Sequence, residues 1–337
     1  MPEIGSTYLT LLDYAKRVKP TGGIMEIIEV LAATNPVLAD ANVMEGNLTT
    51  GHRSTQRTTQ PSGSWRRLNE GVAPEKSTTK QIDDQCGMLE AYSQLDVDLA
   101  ALNGDGPSFR ASEDNAFVAG LNSTAATALF YGNQGTDPEQ IQGFAPRYND
   151  LDGDYASQLI SAGGSGSDNA SIWLVTWGPK TASMIYPKGT KAGLTSEDLG
   201  KSLVRDTDGK MYQAWVTKFQ WKLGLSVLDY RHVIRIPNID VSDLVVDAAS
   251  GADIIEYMVK AYWAMPTETI AMNKGKMAKT FFYCNKTIGQ YLHFQAANKA
   301  NVNLTLDTAA GEPVTRLLGI PIHICDNLTS AEATVTT

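Results

Sequence analysis

A chain of 337 residues that is 42% hydrophobic has room for one large domain or two ordinary ones, and its apolar content excludes wholesale disorder. With 28 basic residues against 37 acidic ones the formal net charge is -9, which excludes a general nucleic-acid binder, because phosphate recognition needs a basic field to displace counterions. Only 19% of residues are charged, so part of the surface is expected to be hidden against partners. The cysteines Cys86, Cys284 and Cys325 lie far apart, and the histidines His52, His232, His293 and His323 are scattered. Neither a zinc site nor a disulfide framework is expected, and no metal or cofactor is assigned. The first ten residues lack the basic start and apolar core of a secretory signal. No apolar run approaches the roughly 20 residues of a membrane span. The expectation is a soluble protein made in a reducing cytoplasm.

Residues 7–19 and 23–34 read as two short helices. In the second, Ile24, Ile27, Ile28 and Leu31 recur at helical spacing before Asn35-Pro36 closes it. Such an arm has little core of its own and should lie on another part of the subunit or on a neighbour. Residues 51–60 then form a polar, Thr-rich strand. One face carries Arg53, Thr55, Arg57 and Thr59, the other Ser54, Gln56, Thr58 and Gln60. Pro61-Ser62-Gly63 supplies a turn, and residues 64–70 are expected to return as the second strand. A two-stranded ribbon without an apolar face is marginal in water. It needs an outside surface, and at about 3.3 Å per residue ten residues reach roughly 33 Å, enough to cross onto an adjacent subunit.

Residues 88–99 alternate sufficiently (Leu89, Ala91, Tyr92, Leu95, Val97, Leu99) for strand or mixed structure. Ser108 is expected to cap a long helix over about 109–131, with Glu113 and Asp114 near its positive end and Gly132-Asn133 stopping it. Its inward stripe reads as Phe117, Leu121, Thr124, Ala128 and Leu129, and its alanines permit close packing. A Gly-, Asn- and Asp-rich connection fills 134–168. Strands follow at 172–177, 212–225 and 232–236, then helices at 251–264 and 285–298, then a strand-like stretch at 317–324. The fold class is α+β.

Candidate sites are few. Asp150-Leu151-Asp152-Gly153-Asp154 resembles half a calcium loop, but position twelve is Ser161 rather than glutamate, so a solvated turn is expected. Gly164-Ser165-Gly166-Ser167 misses the frame of a nucleophile elbow and precedes a strand instead of following one. His323 alternates with Ile322 and Ile324 and reads as an outward strand residue. Asn285-Lys286-Thr287 reads as a helix cap, and the pairs Trp173/Trp177 and Trp215/Trp221 read as core and intersubunit contacts. Arg53, Arg57, Arg66 and Arg67, with Trp65, are the residues assigned to intersubunit contact. Arginine offers bidentate, register-setting pairs with the carboxylates of an acidic neighbour, and no basic field supports a phosphate reading.

The order of elements resembles the Hong Kong 97-like capsid fold of tailed bacteriophages. Several strings resemble its podovirus-type major capsid proteins: Glu45-Gly46-Asn47-Leu48, Thr50-Gly51-His52-Arg53, Trp65-Arg66-Arg67-Leu68-Asn69-Glu70-Gly71-Val72, Phe130-Tyr131-Gly132-Asn133, Trp177-Gly178-Pro179, Tyr186-Pro187-Lys188-Gly189, Asn238-Ile239-Asp240-Val241-Ser242-Asp243-Leu244 and Leu317-Leu318-Gly319-Ile320-Pro321. The resemblance implies an N-terminal arm (1–47), an extended β-hairpin loop (48–80) and a peripheral domain (81–167) with a long spine helix. An axial domain (168–304) and a return strand with C-terminal tail (305–337) complete it. It further implies a non-enzymatic homo-oligomer of pentamers and hexamers in an icosahedral head around double-stranded DNA. That head would be assembled in the host cytoplasm with separate scaffolding, portal and decoration proteins, and without membrane contact or sequence-specific DNA binding. Some relatives crosslink through a loop lysine, but residues 48–75 contain none, and Lys76 and Lys80 lie at the base. The competing readings are an encapsulin-type compartment shell, a hydrolase and a tail receptor-binding protein.

Overall fold

The computed structural model describes residues 35–102, 106–206, 208–244, 252–269, 278–298, 304–309 and 312–336. The two helices expected at 7–19 and 23–34 lie outside them. The architecture turns on strand β4 (Asn169–Trp177), every residue of which is buried. Alternation sorts its side chains between two cores. Trp173, Val175 and Trp177 enter one, and Ala170, Ile172 and Leu174 enter the other. A strand covered on both faces reads as a continuous apolar run, which is why 172–177 stands out in the sequence.

On the first face lies helix α3 (Gly106–Tyr131), preceded by the short α1 (Val37–Asp40) and α2 (Val97–Ala101). On the second lie α4 (Ile254–Ala264) and α5 (Lys286–Asn298). α5 is capped by Asn285 as expected, which accepts from the Ile288 amide (2.8 Å), while α4 begins three residues after the expected 251, capped by Asp253, which accepts from the Glu256 amide (3.1 Å). Helix α3 starts three residues before the expected position. Pro107 occupies its first turn, where a missing N–H costs nothing, so Ser108 is inside the helix rather than its cap. Its buried face is also rotated from the expected stripe, with Leu121, Ala125, Ala126, Leu129 and Phe130 inside and Thr124 exposed. The cause is Phe130, whose ring lies 6.0–6.1 Å from those of Phe144, Trp173 and Tyr283 and draws that side of the helix into the aromatic core.

Among the described residues twelve strands form one sheet. The long β7 (Met211–Val227) pairs with β3 (Thr78–Asp96) over Cys86↔Gly224 to Asp96↔Ala214. It also pairs with β6 (Leu194–Arg205) over its first half and β5 (Ala182–Tyr186) over its second. Beside β4 run β8 (Val233–Asp240) and β9 (Lys279–Cys284). β1 (Val43–Glu45) adds in parallel to β5. The expected single strand at 317–324 is two, β11 (Glu312–Leu317) and β12 (Ile320–Ile324), with β10 (Leu304–Ala309) beyond. Leu318 and Gly319 at φ 51° and 82° make a two-residue left-handed turn between them. His323 does not face outward. Its Nδ1 lies 2.6 Å from Asp40 Oδ2 and its ring stacks on Phe281 at 4.7 Å.

A buried polar network fastens the C-terminal segment to this framework. Arg235 donates to Glu332 Oε2 (2.8 Å), to Ser171 Oγ (3.1 Å) and to the Tyr148 carbonyl (2.7 Å), with its guanidinium 5.0 Å from the Trp173 ring centre. Tyr131 at the end of α3 donates to Glu332 Oε1 (2.6 Å), and Ser171 donates to Oε2. Burial, then the Glu332 charge, pushes the Tyr131 hydroxyl well above its usual range.

Asp229 makes a second partly buried cluster. It accepts from the Arg231 amide (3.0 Å) and guanidinium (2.7 Å) and faces His232 Nε2 at 3.4 Å, while Thr269 Oγ1 meets His232 Nδ1 at 2.8 Å. Burial pushes the Asp229 carboxyl up, but the hydrogen bonds from His232 and Arg231 outweigh it and hold it below the usual carboxylate range. A depressed folded pKa gives stability that is complete above the unfolded value, about 3.9, and is lost as pH falls through the folded one. Urea unfolding from pH 7 to pH 2 should therefore show stability falling below about pH 4, and Asp229→Asn should flatten that fall. An unchanged acid slope in the variant would exclude Asp229 as a contributor.

Candidate intersubunit loop

The loop assigned to contact between subunits is built on β2 (Gly51–Thr59), which pairs with β3 from Gly51↔Gln85 to Thr59↔Thr78. This corrects the expected return strand at 64–70, since residues 60–77 contain no strand. Pro61 removes a ladder donor, and a turn at Leu68-Asn69, with Asn69 at φ 64°, interrupts any extended run. Thr78–Gln85 is as polar as 64–70, so apolar pattern gave no ground for choosing it. The base of the ribbon is therefore carried by its own sheet, because β3 continues onto β7.

Specific bonds hold that base. Arg53 donates to both oxygens of Asp83 (2.6 and 2.7 Å), and this hydrogen bonding holds the Asp83 carboxyl below its usual range. The Asn47 side chain bonds the backbone amide and carbonyl of Arg53, both at 2.7 Å, acting as a substitute strand partner. Gln56 donates to the carbonyls of Val227 (3.2 Å) and Leu228 (2.8 Å). The hydroxyl of Thr78 meets those of Thr58 and Thr59 at 2.7 and 2.6 Å. Beneath them Asp84, 2% exposed, accepts from Ser226 Oγ (2.8 Å) and lies 2.8 Å from Arg147 Nη1. Lys80 reaches Asp154 (3.2 Å), and Asp150 accepts from the Asp152 amide (2.9 Å), so the acidic stretch is a turn bonded to itself and to the loop base.

Beyond Thr59 the loop leaves the body, and residues 57–81 are exposed throughout. Glu75 Oε2 accepts from the amides of Ser62 (2.8 Å) and Gly63 (3.1 Å), pinching the two arms together. At the tip Trp65 is fully exposed and Leu68 is 91% exposed. The five assigned residues thus separate. Arg53 already has its carboxylate within the chain. The side chains of Arg57, Arg66 and Arg67 have no ion-pair or hydrogen-bond partner among the described residues, and Trp65 has no ring contact there. Sequence reasoning missed the Arg53–Asp83 pair because it required the register of β2 on β3.

No group of three or more His, Cys, Asp or Glu able to hold a metal occurs among the described residues. All three cysteines are free. Burial pushes the Cys86 and Cys325 thiols up to about 11 and Cys284 to about 12, so they are poor nucleophiles at neutral pH.

A chain from the cryo-EM structure of bacteriophage Epsilon15 is similar over its whole length, at 35% identity and TM-score 0.77, with 100% of each chain covered. The capsid chain of bacteriophage JBD30 is similar at 10% identity and TM-score 0.47, covering 90% of this chain and 96% of that one. The holo-SrpI encapsulin complex of Synechococcus elongatus matches at 10% identity and TM-score 0.42, covering 69% and 97%. No curated protein sequence matches. A sheet buried between a long helix and a helical pair, carrying a projecting polar loop, together with the Epsilon15 likeness, defines the class: a bacteriophage shell subunit with the Hong Kong 97-like capsid fold. Residues 19–336 match the family described as major capsid protein GP7, and the chain belongs to that family. It is a structural capsid protein of the virion.

Proposed function

We propose that this capsid protein assembles through pentamers and hexamers into an icosahedral head around double-stranded DNA, and that its loop, residues 48–80, is laid on a neighbouring subunit. The observation that carries the reading is the tip. An indole and two arginines are held in solvent by a braced stalk, and nothing among the described residues covers them. An exposed aromatic beside unpaired arginines has the composition of an interface anchor. Residues 1–47 act as an arm, 81–167 as the peripheral part and 168–304 as the axial part around which the rings close, with 305–337 returning to the periphery. The net charge of -9 suits a shell that encloses DNA without gripping it. Assembly takes place in the host cytoplasm with separate scaffolding, portal and decoration proteins. Electron microscopy and sedimentation of the purified chain, alone and with a co-expressed scaffold, should find closed particles. A permanently monomeric chain overturns the reading, and particles that enclose an enzyme in place of DNA favour the encapsulin alternative.

A further inference from the structure

Between α3 and β3 the body carries an open groove of about 470 Å³, lined mainly by Met88, Leu89, Thr124, Ala128, Ile141 and Leu223. Glycine shapes its floor. A Cβ on Gly87 would come within 3.0 Å of the Glu139 carbonyl, and one on Gly132 within 2.5 Å of the Ala128 and Ile141 carbonyls, so only glycine lets the strand, the helix end and the 139–141 loop meet there. Met88 on its wall is 58% exposed. Glu139, the acidic side chain on its rim, is exposed and has no side-chain partner among the described residues.

We propose that this groove receives the loop tip of a second copy, with Trp65 seated against Met88 and Ala128 and Arg66 or Arg67 paired with Glu139. The proposal rests on the assembly reading above and names the receptor for its loop. Two observations from separate parts of the subunit complement each other. The tip presents an apolar pair, Trp65 and Leu68, flanking two arginines without partners among the described residues. The groove presents apolar walls with the Glu139 carboxylate, unpartnered among the described residues, at the rim. Its volume takes an indole with room for a leucine, and methionine makes a favourable, adaptable wall for an aromatic ring. Among the described residues of one subunit the tip stands in solvent, so the proposed contact is made between copies.

Replacement of Trp65 by the photoreactive aromatic p-benzoylphenylalanine keeps a ring at the tip and reports what it touches. Irradiated shells should yield crosslinked dimers whose mapped peptide contains Met88 or residues 123–128. Crosslinks to any other segment, or none in shells that have formed, overturn the proposal. A charge exchange is the second arm. Glu139→Arg should lower the shell yield, and adding Arg66→Glu with Arg67→Glu should restore it. Full yield from Glu139→Arg alone, or loss without restoration, also overturns it. Failure of the unaltered chain to form any shell is a different result, and it removes the assembly reading along with this one.

Discussion

Replacing Glu332 by alanine is expected to destabilise the unassembled subunit by about 3–5 kcal/mol, the cost of leaving a buried cation without its counter-charge. Arg235 is 3% exposed, and alanine would leave it only the Ser171 hydroxyl and the Tyr148 carbonyl as acceptors, neither of them charged. The same change takes the acceptor from the Tyr131 hydroxyl, which keeps only the bond it accepts from the Thr329 amide, and loosens residues 325–336. Other bonds to those residues remain, among them two between Asn238 and Val335, both 2.8 Å, the Glu332 amide on the Asn169 carbonyl at 2.9 Å and Asn327 on the Ser123 carbonyl at 2.6 Å. Tyr131→Phe removes two neutral-donor bonds, the one to Glu332 and the one from the Thr329 amide, and should cost only about 1–2 kcal/mol. Glu332→Gln keeps an acceptor and should fall between the two. Urea unfolding below the assembly concentration distinguishes the three. Equal midpoints for Glu332→Ala and the parent chain would remove the network as the fastener of the C-terminal segment. In the folded subunit that segment joins the end of α3 to β4 and β8, so its loss should loosen the body before it alters the loop.

Local chemistry made some of this legible and hid the rest. β4 was visible because burial on both faces demands unbroken Ile172-Trp173-Leu174-Val175-Thr176-Trp177. α4 and α5 were visible through periodicity, and α5 also through its cap at Asn285; the cap at Asp253 was not read. β6 was not, since it pairs only with β7 and is exposed along most of its length, so no apolar alternation marks it. The turn at Leu318-Gly319 is equally silent, because a leucine at positive φ is set by the strands on either side. Arg235 and Glu332 are 97 residues apart, and nothing short of the fold brings them together. For the loop, the absence of an apolar face marked a segment in need of a partner. It did not reveal that β3 supplies that partner up to Thr59, leaving only residues 60–77 free of strand pairing.

That division sets the second large effect. Because Thr59 pairs with Thr78, residues 60–77 can be excised and the strands rejoined by a two-residue Asn-Gly turn that suits a hairpin. The shortened chain should fold with stability within about 0.5 kcal/mol of the parent, as exposed segments outside the core contribute little. It should nevertheless fail to form shells. The asymmetry follows from where the contacts lie: Arg53–Asp83, Gln56 and the Thr58–Thr59–Thr78 hydroxyls all stay behind, while Trp65, Arg66, Arg67 and Leu68 leave. Truncating one arginine is a much milder change, about 1 kcal/mol or less for an exposed pair. In a closed ring every subunit repeats the loss, so Arg57→Ala, Arg66→Ala and Arg67→Ala combined should raise the concentration needed for assembly while leaving the unfolding midpoint unchanged. Paired measurements of unfolding and particle yield test this directly. Normal particles from the excised chain would mean that the loop carries no essential contact, and an unfolded product would mean that residues 60–77 support the subunit's own fold.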